Sequence, residues 1–227
     1  MAIAFAREGH NDAGSNTTLT VTVTVNAGDD VALFFTISGS TAAITSVRDN
    51  NSVDYDLVGT AGDNVNVAKV WCYTKLNAPA ATSITIIWAP AGISNGVAAI
   101  YTGVSSFGNT GTNSSTSSTN PTVSVTTQDN DNYVAAMFAD LNNVTFTAQN
   151  GTIRLNTYML GQGSRAVSLL DNTAASPSSV VNSATTASAI NYATFAIELR
   201  AAAGAAAEAV GHGLLLSGIR NAVIQRV

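Results

Sequence analysis

The amino-acid sequence predicts an all-β protein: an antiparallel two-sheet β-sandwich of jelly-roll-like type, followed by an apolar C-terminal arm. Three observations predict it. Hydroxyl and apolar residues alternate with period two, most clearly in Thr18-Leu19-Thr20-Val21-Thr22-Val23-Thr24-Val25, the pattern of a strand with one dry and one wet face. Short apolar segments recur at intervals of roughly 8–12 residues with turn residues between them, the spacing of sandwiches and barrels. No helical periodicity precedes Arg200, which excludes parallel α/β folds because each crossover would need a helix.

The elements follow in order. The strand at 18–25 ends in Asn26-Ala27-Gly28-Asp29-Asp30, a turn in which Gly28 supplies positive φ. Residues 31–38 form the next strand, and Leu33-Phe34-Phe35 predicts burial on both faces. Strands at 44–48 and 55–58 flank the turn Asp49-Asn50-Asn51-Ser52. Strands at 65–74 and 83–88 are separated by Leu76-Asn77-Ala78-Pro79-Ala80, and 96–101 closes this series. Residues 107–120 read as a long polar loop, because no apolar anchor follows Phe107. Strand signals resume at 122–125, 133–139, 144–147, 154–159, 166–170 and 193–199. Neither side of the polar loop has an obvious complete core, so residues 1–199 are read as one domain, which a jelly roll accommodates.

Composition narrows the function classes. Charged residues make up 10% of the chain, against roughly 25% in an average soluble protein. Ser, Thr and Asn supply 72 of the 227 residues, so polarity here comes from hydroxyls and amides. With 46% apolar residues the chain is not disordered through charge. A net charge of −5 argues against nucleic acid as a partner, since phosphate binding needs a basic face. No apolar run reaches the roughly 18 residues of a membrane span. The start, Met1-Ala2-Ile3-Ala4-Phe5-Ala6-Arg7-Glu8, lacks the pattern of a secretory signal, which implies assembly in a cytoplasm or a signal already removed. Cys72 is the single cysteine, so no intrachain disulfide forms, and its neighbours Val70, Trp71 and Tyr73 place it in a strand as a small apolar residue. Asn-x-Ser/Thr sequons at Asn16, Asn50, Asn113, Asn143 and Asn150 are what chance supplies in such a composition.

Beyond Arg200 the composition changes. Residues 200–227 hold an Ala/Gly spacer and then Leu214-Leu215-Leu216-Ser217-Gly218-Ile219-Arg220-Asn221-Ala222-Val223-Ile224-Gln225-Arg226-Val227. Leu216, Ile219, Val223 and Val227 fall at helical spacing, whereas Gly218 weakens a helix by about 1 kcal/mol and Val223-Ile224 suits a strand. Residues 1–199 carry 13 acids and 6 bases; residues 200–227 carry one acid and three bases. An isolated segment of this length is marginal in water. The spacer gives it reach, so Leu214, Leu215, Leu216, Ile219, Val223, Ile224 and Val227 are the expected interface of an intersubunit arm. Packing on its own sandwich is the alternative.

The chain is poor in catalytic signals. His10 lies in a Gly-His-Asn-Asp-Ala-Gly loop and His212 in the tail, neither at metal-ligand spacing. There is no Gly-x-Ser-x-Gly elbow and no phosphate loop. Asp54 and Asp56 share a strand face, as a glycosidase pair would, but with Tyr55 between them they read as a solvent-facing edge. Asp129-Asn130-Asp131-Asn132 is a dense oxygen cluster. Calcium is the cation such a loop would take, with Asp129 and Asp131 as ligands; a tight turn is the plainer reading. Trp71, Tyr73, Trp88, Tyr101, Tyr133 and Tyr158 would be the platform of a sugar-binding face, yet all lie in strand patterns where aromatics fill the core.

One stretch carries a resemblance. Ile44-Thr45-Ser46-Val47-Arg48-Asp49-Asn50-Asn51-Ser52-Val53-Asp54-Tyr55-Asp56-Leu57-Val58-Gly59 resembles a strand-turn-strand of the form SVTDSxGNxYxLxG. Val70-Trp71-Cys72-Tyr73 with Ala81-Thr82-Ser83-Ile84-Thr85-Ile86 resembles its continuation, and Ala98-Ala99-Ile100-Tyr101-Thr102-Gly103-Val104-Ser105 the element after that. The chain departs from the pattern at Asp54 and Thr102. The likeness is to jelly-roll-like β-sandwich domains of bacteriophage virion structural proteins and bacterial surface proteins, and covers about residues 40–106, with a weaker likeness to about 199. It implies a virion or surface module without catalysis. Taken with the low-charge surface and the apolar arm, the expectation is a non-enzymatic structural protein of a phage particle: a head decoration, spike or tail-associated subunit, binding sister subunits, or a capsid or tail protein, as a homo-oligomer. A carbohydrate-binding or adhesive module of a cell surface, or the subunit of an extracellular filament, is the alternative.

Overall fold

The structure is a computed structural model that describes residues 2–38, 42–62, 69–140, 144–158 and 166–202, to which every statement below refers. All regular elements among them are strands: β1 (Ala4–Val25), β2 (Asp29–Ile37), β3 (Ala43–Asp49), β4 (Asp56–Ala61), β5 (Lys69–Ala78), β6 (Ala81–Thr102), β7 (Val104–Ser118), β8 (Thr122–Thr126), β9 (Asn132–Asp140), β10 (Thr147–Asn150), β11 (Thr152–Tyr158), β12 (Ala166–Ala174), β13 (Ser179–Thr185) and β14 (Ile190–Ala201). The pairings are antiparallel throughout, and the all-β sandwich expected from the sequence is what the chain builds.

Two long strands organise the first half. The early part of β1 pairs with the late part of β6 (Glu8 with Ala99), and the late part of β1 with the early part of β6 (Val21 with Ile84). Between them the register shifts around Asn16, and the ribbon turns over on itself there. Gly9 shows how closely: a Cβ would lie 2.2 Å from the Thr22 carbonyl oxygen further along the same strand. A Cβ on Gly96 would meet Leu19 at 2.8 Å. Inside this ribbon β2 pairs with β5, and the β3–β4 hairpin is joined by a bridge between Arg48 and Asp54. Such nesting, outer pair around inner pair, is jelly-roll wiring. It yields a larger sheet ordered β4-β5-β2-β6-β1 and a smaller layer in which β3 and β1 flank the early part of β6.

The second half repeats this wiring strand for strand. β7 pairs with β14, β8 with β13 and β9 with β12, and the larger sheet is ordered β11-β12-β9-β14-β7 over a smaller one ordered β10-β13-β8. What β1 and β6 do as continuous strands, β7/β8 and β13/β14 do as pairs of shorter ones. The likeness extends to single residues. A Cβ on Gly111 would lie 2.2 Å from the Ser124 carbonyl oxygen, the same as one on Gly9 from that of Thr22. Asn11 Nδ2 donates to the Thr20 carbonyl at 2.7 Å, and Asn113 Nδ2 to that of Thr122 at 2.8 Å. Arg7 Nε donates to the Thr24 carbonyl at 2.5 Å, and Asn109 Nδ2 to that of Thr126 at 2.8 Å. These bonds seal backbone acceptors along β1 and β8 that would otherwise invite a foreign strand. Every residue in these pairs is displaced along the chain by the same number of positions. The described chain is therefore a doubled jelly roll.

The two larger sheets pack face to face. Ala32, Phe34, Val97, Ala99 and Tyr101 meet Ala135, Met137, Phe195, Ile197 and Leu199 in one central apolar cluster. Each larger sheet also packs its other face on its own smaller layer, with Leu33, Phe35, Trp71 and Ile100 over Leu19, Val21, Ile86 and Trp88 in the first half. In the second, Val134, Ala136, Phe138 and Leu170 pack over Val123, Val125, Phe146 and Val180. This explains the unbroken apolar runs at 31–35 and 134–138: those strands are dry on both sides.

The structure corrects the loop at 107–120, which is the body of β7. Its inward positions are filled by Gly111, where only a bare backbone fits against Ser124, and by Asn113, whose amide bonds Thr122 and the Tyr192 hydroxyl. Inward residues that hydrogen-bond rather than pack leave no apolar period. Likewise His10 sits in β1, opposite Val97, not in a loop. The element expected at 144–147 lies later, at β10, although Phe146 just before it is buried.

Gly111→Ala should destabilise the protein by about 2–3 kcal/mol, because the crossing backbone cannot retreat. Gly28→Ala has open space but φ +91, and should cost about 1 kcal/mol. Urea denaturation of the two variants checks this order.

Candidate functional site

The β3–β4 hairpin holds a cavity of about 210 Å³. Its turn is built by Asp49, whose Oδ1 accepts from the Asn51 amide at 2.8 Å and the Val53 amide at 3.0 Å, with Ser52 at φ 65. Asn50 Oδ1 accepts from the Thr82 amide at 2.8 Å, tying the turn to the start of β6. Arg48 and Asp54 face each other across the hairpin: Nε donates to Oδ1 at 2.5 Å and Nη2 to Oδ2 at 3.4 Å. Both side chains are exposed, so the pair adds at most about 1 kcal/mol to stability. Exposed Thr45, Arg48 and Asp54 line the cavity together with buried Val47, Tyr55 and Tyr73. Tyr73 is fixed by stacking on Phe35 at 5.7 Å, and Phe35 stacks on Trp71 at 5.5 Å. The Tyr55 hydroxyl is buried and has no hydrogen-bond partner among the described residues. Burial, and then the charge of Asp49, push its pKa far up, so it stays a neutral O–H donor.

A second polar cluster clamps the two halves. Arg154 on β11 lies over the Phe5 ring of β1 at 4.5 Å, and its Nε donates to Asp171 Oδ2 at 2.8 Å. Asp171 is 2% exposed. Burial raises its pKa above the ordinary 3.8, and the Arg154 bond and charge oppose that rise. Tyr101, fully buried beside it, is kept protonated by burial first and by the Asp171 charge second. Reciprocally, Gly59 on β4 lies against the Phe195 ring of β14, where a Cβ would come within 3.0 Å.

Other acids serve backbone ends. Asp29 accepts from the Asn26 amide at 2.7 Å and pairs with Arg7. Asp30 accepts from the Asn77 and Val104 amides, each at 3.0 Å. Glu198, fully buried, accepts from Asn109 and Gln128 amides at 3.0 and 2.7 Å and from Asn132 Nδ2 at 2.6 Å.

Of the residues singled out from sequence, Asp129 is ion-paired with Arg200, and Asp131 is exposed in the turn at φ 58. Among the described residues no group of three or more His, Cys, Asp or Glu is placed to hold a metal. The arm residues Leu214, Leu215, Leu216, Ile219, Val223, Ile224 and Val227 lie outside the described residues. Asp54 is turned to Arg48 rather than to Asp56. Trp71, Tyr73, Trp88 and Tyr101 are core residues and Tyr133 is half-buried, so these five form no exposed aromatic row. Cys72 is fully buried, and burial pushes its thiol pKa well up, away from reactivity. Sequence reasoning missed the cavity and the Arg154–Asp171 clamp. Arg48 and Asp54, both near a turn of four polar residues, were the available signal for the cavity; nothing local signals the clamp.

No family model, curated protein or solved structure matches this chain.

Arg154→Met should leave Asp171 buried without its cation and destabilise the protein by about 3 kcal/mol at neutral pH. The folded pKa of Asp171 then lies further above the unfolded 3.8. The penalty is full above the folded value and gone below the unfolded one. The gap in Tm between wild type and variant should therefore shrink as pH falls towards 4, which thermal melts across that range check.

Proposed function

We propose that the chain is a non-enzymatic structural subunit of an assembled particle, of the phage-virion kind that residues 40–106 resemble. The observation that supports this most is the doubled jelly roll, three apolar clusters deep, in which the ionic side chains are largely spent on holding the block together. Each described arginine is in an ion pair: Arg7 with Asp29, Arg48 with Asp54, Arg154 with Asp171 and Arg200 with Asp129. Several buried acids cap backbone amides. A block of this kind resists local opening, because each larger sheet is packed on both faces.

Assembly falls to the arm. β14 ends at Ala201, and the apolar residues from Leu214 onward dock on a sister subunit or on a capsid or tail protein. An arm burying on the order of 300 Å² contributes about 7 kcal/mol before ordering costs. Many copies on a lattice multiply that through avidity. In this reading the protein is part of a virion and takes no nucleic acid and no membrane as partner.

Size-exclusion chromatography with light scattering tests the proposal on the full chain and on a chain ending at Ala202. The full chain should be oligomeric and the shortened one monomeric with an unchanged Tm. Two monomers that bind native particles equally well would overturn it.

A further inference from the structure

We propose that the β3–β4 cavity binds one neutral sugar residue, the chemical class being an uncharged pyranose with adjacent hydroxyls. Its exposed lining is a charge-balanced pair: the Arg48 guanidinium and the Asp54 carboxylate lie side by side in contact. Such a pair has no net charge with which to select an ion, but it offers donors and acceptors together. One sugar hydroxyl can accept from the guanidinium while its neighbour donates to the carboxylate. Thr45 adds a hydroxyl at the same face. The buried lining is Val47 with two aromatics, Tyr55 and Tyr73, and aromatic rings supply the apolar surface that the C–H face of a sugar needs. Tyr55 also keeps a buried hydroxyl beneath this lining that has no partner among the described residues, and buried polar groups without partners are rare. The cavity, about 210 Å³ and open to solvent on one side, is of a size to seat a single ring.

The second half serves as an internal control. By strand register Tyr73, opposite Leu33 of β2, corresponds to Leu170, opposite Ala136 of β9. The hairpin that spans Asp49 to Asp56 in the first half is reduced to the single residue Gly151 between β10 and β11. Arg48, opposite Thr85, corresponds to Asn150, opposite Ser183. The polar pair, the aromatic and the longer turn thus occur together in one copy of the fold and are absent together at the matching place in the other. Wiring alone does not require them.

Saturation-transfer NMR from the full-length protein to the methyl glycosides of glucose, galactose, mannose and N-acetylglucosamine tests the proposal, with glucuronate as the charged comparison. At least one neutral glycoside should show saturable transfer to its ring C–H protons. Arg48→Ala and Asp54→Ala, both at exposed positions, should each weaken it about tenfold or more with Tm unchanged, and Asn150→Ala should have no effect. Tyr73→Leu, which copies the second half, should reduce transfer to the ring protons. Absence of transfer to every neutral glycoside, binding of glucuronate alone, or equal binding by Arg48→Ala would overturn it. None of these outcomes depends on how the chain assembles.

Discussion

The antiparallel pairing of β1 with β6 along their whole lengths constrains everything inside it. Once Glu8 stands opposite Ala99 and Val21 opposite Ile84, the two ends of that ribbon must face each other across a layer of side chains. The rest of the first half has to nest between them, β2 with β5 and β3 with β4. The turnover requires close approach, which is why glycine stands at position 9 and, in the second half, at position 111. It also leaves the crossing segment with backbone carbonyls that have no strand beside them, and Arg7, Asn11, Asn109 and Asn113 fill that need.

Shared wiring has not meant shared chemistry. At the turn that follows the crossing segment, an acid accepts from the backbone in both halves. In the first it is Asp29 on β2, bonded to the Asn26 amide; in the second it is Glu198 on β14, bonded to the Gln128 amide. A buried amide donor needs an acceptor, and either strand can supply one. The face between the halves is similarly uneven: Arg154 and Asp171 come from the second half, Tyr101 and Phe5 from the first. A clamp of this composition needs both halves present and in register.

Where side chains alternate between oil and water, the fold was legible in the sequence. Thr18 to Val25 shows it outright, and the double-sided apolar run at Leu33-Phe34-Phe35 was correctly read as a strand buried on both faces. β7 was illegible, because its inward positions hold Gly111 and Asn113 and its partner atoms are carbonyls rather than apolar side chains. The duplication was hidden for a related reason. What the halves share is a set of glycines, amides and hydroxyls that composition scatters everywhere in this chain, while the turn before β9 is longer than the turn before β2. The cavity brings Arg48 and Asp54 on the hairpin to Tyr73 on β5, and no local pattern encodes that meeting. Asp129 belongs to a local oxygen cluster, but its partner Arg200 lies far along the chain.

Native-state hydrogen exchange tests most directly whether the two jelly rolls form one body through their shared apolar face. Amides of β2, β5 and β6 and those of β9, β12 and β14 should exchange at one common free energy, the highest in the protein, and lose protection together as denaturant rises. Protection lost in one half at a distinctly lower free energy, with the other half intact, would contradict a single block.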